Sequence, residues 1–278
     1  TIIRTGERVT AEDVEALAQV GLLQKAWDWW VVVRATALAA ALLFVVIGAL
    51  YRLRPSTLQN YHELALLLVI TVIWLLAAKF MIVQDEWLPY LYPLAAMGML
   101  ITVLIDLRVT LIWTLAFALI IHYMGSDEPA LVAYVCIGTL TGSLVLGRAE
   151  GLTAFLWAGL AVVASNLLSF IAFRSAFAEW LMPGMMRQLV QAFLLIGLNG
   201  GLSASVALLG YFILGNLFNI TTSLQLTELS RPTHPLLRQL LLKASGTYHH
   251  TILVSNLAER AAATIGADAY LARVGAYY

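Results

Sequence analysis

The sequence predicts an all-α, polytopic membrane protein, and three observations carry that expectation. Of 278 residues, 61% are hydrophobic and 12% are charged, against about 45–50% apolar and about 25% charged in soluble domains. Seven apolar stretches approach the length of a bilayer crossing. After the seventh, the composition turns polar and shows helix caps and breakers. The net charge is zero, so no nucleic-acid-binding surface is expected. The single cysteine, Cys136, lies inside an apolar run, can form no internal disulfide and reads as a small buried hydrophobe.

The chain begins at Thr1 with no basic-then-apolar leader, which suggests a piece with material missing upstream. Residues 1–28 are expected to be the end of an extracytoplasmic domain with a lead-in helix. Thr10 and Asp13 suit a box-like cap, Val14, Leu17 and Leu22 mark an apolar stripe, and Gly21 offers a stop.

A helix needs about 20 apolar residues to cross the hydrocarbon core, with about 17–25 tolerated. Residues 29–220 supply the seven candidates: Val31 to Leu50, Leu64 to Val83, Leu88 to Ile105, Val109 to Met124, Ala130 to Leu146, Leu152 to Phe173 and Leu189 to about Ile220. The fourth and fifth are short, and the seventh is longer than one crossing requires.

Lysine and arginine placement sets the expected orientation. One set of short loops carries Arg52, Arg54, Arg108 and Arg148, and the other carries Asp85, Glu86, Asp127 and Glu128. The Arg174 to Arg187 connection, with two arginines and Glu179, is a weak exception. The basic loops are expected in the cytoplasm, which puts the N-terminus outside and the C-terminal segment inside. Trp29, Trp30, Trp87 and Trp180 fall at span ends on the outer side, as interface anchors do.

Charged groups in lipid are costly, so each one asks for a role. Lys79, Arg34 and His122 sit near span ends and are expected to snorkel. Asn166 and Asn199 lie deeper. Asn199 precedes Gly200, Gly201, Ser203 and Ser205, a set that suits close packing, a kinked signalling hinge or a ligand pocket. No internal repeat or paired broken helix points to a transporter.

Residues 221–245 read as a linker and first helix outside the membrane. Thr227 to Pro235 is polar and marked by Pro232 and Pro235, and Leu236 to Ala244 is amphipathic. Gly246 is expected to break that helix, Thr247 to cap the next, and Gly266 to close it near Ile265. A further helix is expected from about Asp268 and to be still running at Tyr278. Within the helix after Thr247, steps of three and four from His250 reach Leu253, Val254, Leu257, Ala261 and Ile265. His250 is therefore expected to point into the domain core with that apolar face, as a satisfied core residue or as a metal ligand. His249 falls nearer the polar side with Asn256 and Arg260. Adjacent helical residues diverge by about 100° and rarely bind one ion together. His234, between Thr233 and Pro235, reads as structural.

A resemblance adds what periodicity cannot. The segment from Leu226 to Tyr278 resembles the start of the HD phosphohydrolase domain in the bacterial seven-transmembrane receptor HD family. The matching residues are Leu229-Ser230, His234-Pro235-Leu236-Leu237, Gly246-Thr247-Tyr248-His249-His250, Val254-Ser255-Asn256-Leu257-Ala258-Glu259, Ala263, Ile265-Gly266-Ala267 and Leu271-Ala272-Arg273-Val274-Gly275-Ala276-Tyr277-Tyr278. The resemblance implies that residues 246–278 open an HD domain that is incomplete here. It also implies a membrane-anchored phosphodiesterase hydrolysing cyclic di-AMP, with a pair of divalent transition metals, Mn or Fe, in the complete protein. The family's first metal-binding histidine falls on His250, followed by Thr251, with His249 the weaker candidate. The His-Asp doublet would follow Tyr278, so neither a catalytic residue nor a complete metal site is expected within the chain. The implied partners are the lipid bilayer of a bacterial inner (plasma) membrane, a cyclic dinucleotide and, as an option, a second copy in a homodimer. Two other readings stand beside this one: a non-catalytic membrane receptor, and a transporter with a regulatory cytosolic tail.

Overall fold

The computed structural model describes residue 10 and residues 29–83, 87–124, 129–147, 149, 151–173, 185–218, 220 and 223–278. The expected lead-in helix (Thr10 aside), Asp85, Glu86, Asp127, Glu128, Arg148, Trp180 and the Arg174 to Arg187 connection short of Arg187 lie outside those residues. Every regular element among the described residues is helical. The all-α expectation stands.

The chain divides into two compact units, residues 1–47 and 48–278. Helix α1 (Trp29–Leu53) starts in the first. There it presents Trp29, Trp30 and Phe44 at 72%, 69% and 81% exposure, a surface suited to lipid rather than water.

The second unit holds α2 (Pro55–Gln59), α3 (Tyr61–Met81), a 3-10 turn (Leu88–Leu91), α4 (Leu94–Leu104), α5 (Leu107–Met124), α6 (Pro129–Leu146), α7 (Leu152–Phe173) and α8 (Met185–Leu217). Beyond them come α9 (Ser223–Leu229), α10 (Pro235–Lys243), α11 (Ser245–Thr264) and α12 (Ala269–Gly275). Among the described residues, six helices, α1, α3, α5, α6, α7 and α8, are long and apolar enough to cross a membrane. The protein is a multi-pass membrane protein.

The third expected span is the exception. It forms the 3-10 turn and the 11-residue α4 instead of one helix from Leu88 to Ile105. The cause is local. Pro93 has no N–H to continue a ladder, and the residue before a proline is driven out of the helical region; Tyr92 has ψ 115°. The expected seven crossings are thus six full-length helices and one short, broken element.

α4 is the centre of the bundle. Its sequence is apolar on all sides, and Leu94 through Ile101 and Leu104 are all buried, as a helix without a polar face must be. It packs against α5, α6 and α8. Gly98 admits α6 to van der Waals range: a Cβ there would overlap Thr139 and lie 2.7 Å from Ser143 Oγ.

Breaking a helix inside a bilayer bares carbonyls that no water can reach. Side chains from three neighbouring helices answer them. Trp74 Nε1 donates to Pro93 O at 2.9 Å, and Tyr134 Oη donates to Tyr90 O at 2.8 Å. Asn199 Nδ2 donates to Tyr90 O and Tyr92 O, each at 3.0 Å. Tyr92 returns its hydroxyl proton to Trp74 O at 2.9 Å. Asn199 thus serves bared carbonyls, a role outside the packing, hinge and pocket readings of the sequence.

α8 runs unbroken through Asn199-Gly200-Gly201, so the helix has no break there. Gly200 instead lets α8 cross α7 at close range: a Cβ there would overlap Val163 and lie 2.6 Å from Gly159 O. Asn166 is buried against Gly138, where a Cβ would overlap its amide.

At the opposite end of the bundle from Trp87, two basic loops meet. Arg54 Nη1 donates to Ile105 O at 2.9 Å and pairs with Asp106 Oδ2 at 2.7 Å. Asp106 Oδ1 accepts from the Arg108 amide at 2.7 Å and so caps α5. Lys79 is exposed in the last turn of α3, where snorkelling needs it to be.

Candidate functional site

The candidate residues sit on α11, in a group of four short helices after the last span. Pro235 opens α10 at its first position, where a missing N–H costs nothing. α10 ends at Ala244, whose φ of −146° and ψ of 65° leave the helical region. α11 therefore starts at Ser245, with Gly246 and Thr247 inside its first turn and no side-chain cap. The expected break at Gly246 falls two residues earlier, at Ala244, which also takes the capping position three residues before Thr247 without a side-chain bond. The other end follows expectation: Gly266 has φ +71°. The Gly266 amide donates to Ala263 O at 3.3 Å and the Ala267 amide to Ala262 O at 2.9 Å, the two bonds of a Schellman closure. Asp268 then caps α12 by accepting from the Tyr270 and Leu271 amides at 3.1 and 3.0 Å. α12 ends at Gly275 rather than running on to Tyr278.

α11 packs on α10 and α12 through its Ser255 and Ala262 side, and both residues are buried. The face carrying Leu253, Leu257 and Ile265 is open, at 64%, 67% and 81% exposure. His250 is exposed with it. This corrects the expectation that His250 points into a core. The periodicity located the strip correctly, but two short neighbours can cover only one side of a 20-residue helix, and they cover the other.

His249 is also exposed, and its Nδ1 lies 2.8 Å from Ser245 O. A carbonyl only accepts, so Nδ1 carries a proton and is engaged with the helix backbone. His250 has no hydrogen bond to any described residue. Neither histidine meets a carboxylate: among the described residues, no group of three or more His, Cys, Asp or Glu could hold a metal ion. The residues present fit one imidazole donor, not a metal pair.

Sequence reasoning missed a second cluster, which fastens α12 to the segment after the last span. Tyr278 Oη donates to Leu229 O at 2.9 Å and lies 2.9 Å from His234 Nδ1. Tyr270 Oη lies 3.0 Å from Ser230 Oγ, which itself donates to Thr227 O at 2.9 Å. Between α11 and α12, Arg273 donates to Tyr277 Oη at 2.9 Å and to Glu259 Oε2 at 3.2 Å. The Tyr277 hydroxyl first, and then the Glu259 carboxylate, hold the guanidinium above its already high ordinary value. Desolvation raises the Tyr278 phenol, so it stays protonated and able to donate at neutral pH. Only the tyrosines themselves, spaced around α12, marked this cluster in the sequence.

A bundle of membrane-crossing helices followed by a helical segment with paired histidines defines a class: a multi-pass membrane protein with an appended helical domain. Residues 29–222 match the family described as 7TM receptor with intracellular HD hydrolase. The chain belongs to that family. It is similar to the cyclic-di-AMP phosphodiesterase PgpH of Bacillus subtilis, 34% identical over 201 residues, covering 68% of this chain and 27% of the relative. The protein of the same name from Listeria monocytogenes is 25% identical over 86% of this chain and 33% of its own length. The uncharacterized protein slr0104 of Synechocystis is 30% identical over 100% of this chain and 33% of its own length. The chain thus spans about a third or less of each of these relatives. No solved structure matches it.

Proposed function

We propose that this chain belongs to a membrane-anchored, metal-dependent phosphodiesterase that hydrolyses cyclic di-AMP, with residues 29–220 as anchor and sensor, 221–245 as linker and 246–278 as the opening of the HD hydrolase. The termini lie outside and inside a bacterial plasma membrane respectively, in line with Arg54 and Arg108 meeting at one end of the bundle. The relatives named as phosphodiesterases support the activity and its substrate.

The observation that carries the reading is the shared exposure of His250 and the Leu253, Leu257 and Ile265 strip on one face of α11. An apolar strip outside the membrane is unstable in water, at about 25 cal/mol per Å² left exposed. The rest of the HD domain, entered through a His-Asp doublet after Tyr278, is the segment that covers it. Closing over that strip brings His250 into a water-poor centre as one metal ligand, with His249 outside it.

When bound, a divalent metal pair, Mn or Fe, supplies a nucleophile at neutral pH and neutralises charge on the phosphodiester. This chain contributes one imidazole to holding that pair, and an apolar wall that excludes bulk water. The test is hydrolysis of cyclic di-AMP to the linear dinucleotide by the full-length protein with Mn²⁺. The His250→Ala variant should lose more than about 100-fold in kcat, beyond the 10–100-fold that removal of an outer-shell partner costs. A full-length protein that binds but does not hydrolyse the substrate would make it a receptor instead.

A further inference from the structure

We propose that Tyr278 and His234 form a positioning clasp, which fixes the peptide leading into the metal-ligating doublet against the segment that leaves the last span. This rests on the reading above, in which that doublet follows Tyr278.

The proton positions are determined by chemistry. Leu229 O can only accept, so the single Tyr278 hydroxyl proton goes to it. Tyr278 Oη must then accept from His234, which fixes the imidazole as the Nδ1–H tautomer. The two rings meet edge to face, with centroids 5.9 Å apart and planes at 88°.

A single attachment would let α12 swivel. There are two. Tyr270, in the first turn of α12, donates to Ser230 Oγ, whose own proton is committed to Thr227 O. Tyr270 lies in the first turn of α12 and Tyr278 three residues past its end, and both reach residues 227–234. Leu226, Val274 and Tyr277 are buried as α9 packs against α12. α12 is thereby held in both position and rotation by the stretch that follows α8. A shift of α9 is thereby handed to α12 and Tyr278 without passing through α11 or its histidines.

The experiment uses the full-length protein in nanodiscs. Tyr278→Phe keeps the ring and removes both hydrogen bonds. We expect kcat for cyclic di-AMP and Mn²⁺ affinity each to fall about 10–100-fold, the range for outer-shell positioning groups, with KM unchanged and faster amide exchange across residues 227–234. H234F should match it, H234N should recover most of the loss because its amide can donate from the Nδ1 position, and the double variant Y278F/H234F should be no worse than either single one. An active wild type whose Tyr278→Phe variant keeps full kcat and Mn²⁺ affinity, whatever its melting temperature does, overturns the clasp alone. A wild type inert toward both cyclic di-AMP and Mn²⁺ overturns the underlying reading and the clasp with it.

Discussion

α4 is apolar all round and α11 carries an apolar strip on one face, and the two end up in opposite situations. α4 is enclosed by α3, α5, α6 and α8, with Ala96, Met97, Met99 and Ile101 at 0% exposure. α11 has neighbours on one side and leaves Leu253, Leu257 and Ile265 open. The loose ends next to each differ as well. The carbonyls bared beside α4 are answered by buried donors on three helices, whereas Leu229 O and Ser245 O near α11 sit where water could replace a lost partner. The contrast teaches where this chain carries its own stability and where it relies on something laid over it.

The largest effect should come from the buried side of that contrast. Trp74→Ala removes a side chain that is 5% exposed and the donor to Pro93 O, and should cost about 3–5 kcal/mol. Thermal unfolding in detergent measures it; a cost near that of a surface change would mean that the broken element does not need its neighbours.

Asn199→Leu should come next. It keeps the branched shape but removes the amide shared by Tyr90 O and Tyr92 O. Each carbonyl keeps one other donor, Tyr134 Oη and the Leu94 amide respectively, so the loss should be about 1–3 kcal/mol. Asn199→Asp in the same assay sharpens the point, since a carboxylate accepts without donating and should be worse than Leu.

The smallest effect belongs to the open face. Leu257→Asp should change the stability of residues 1–278 by no more than about 0.5 kcal/mol, the ordinary range for surface sites. In the full-length protein the same change should be strongly destabilising and should abolish hydrolysis. Equal, small effects in both would mean that nothing covers the strip.

Much of this was legible in the sequence, for identifiable reasons. The six long helices follow from apolar runs, because a bilayer imposes length and hydrophobicity together. Gly266 and Asp268 marked their helix ends because each acts on its immediate neighbours. The split at Pro93 was written in the chain, yet an apolar run reads the same with or without a proline in it. Periodicity put His250 on the strip with Leu253 and Leu257, but a period says which residues share a face and nothing about what covers it. Asn199 and Tyr278 were opaque for another reason: each acts on backbone carbonyls more than 40 residues away, and a carbonyl carries no signature of its residue type.

The glycine contact between α7 and α8 has a mechanical consequence. α8 is 33 residues long, about 50 Å, and Gly200 falls almost at its midpoint. Backbone touches backbone there, so twisting α8 about its axis would drive a bulky residue such as Leu198 or Leu202 into Gly159. What the crossing still permits is a scissor motion with a central fulcrum, in which a tilt at one mouth of the bundle returns at the other with equal size and opposite direction.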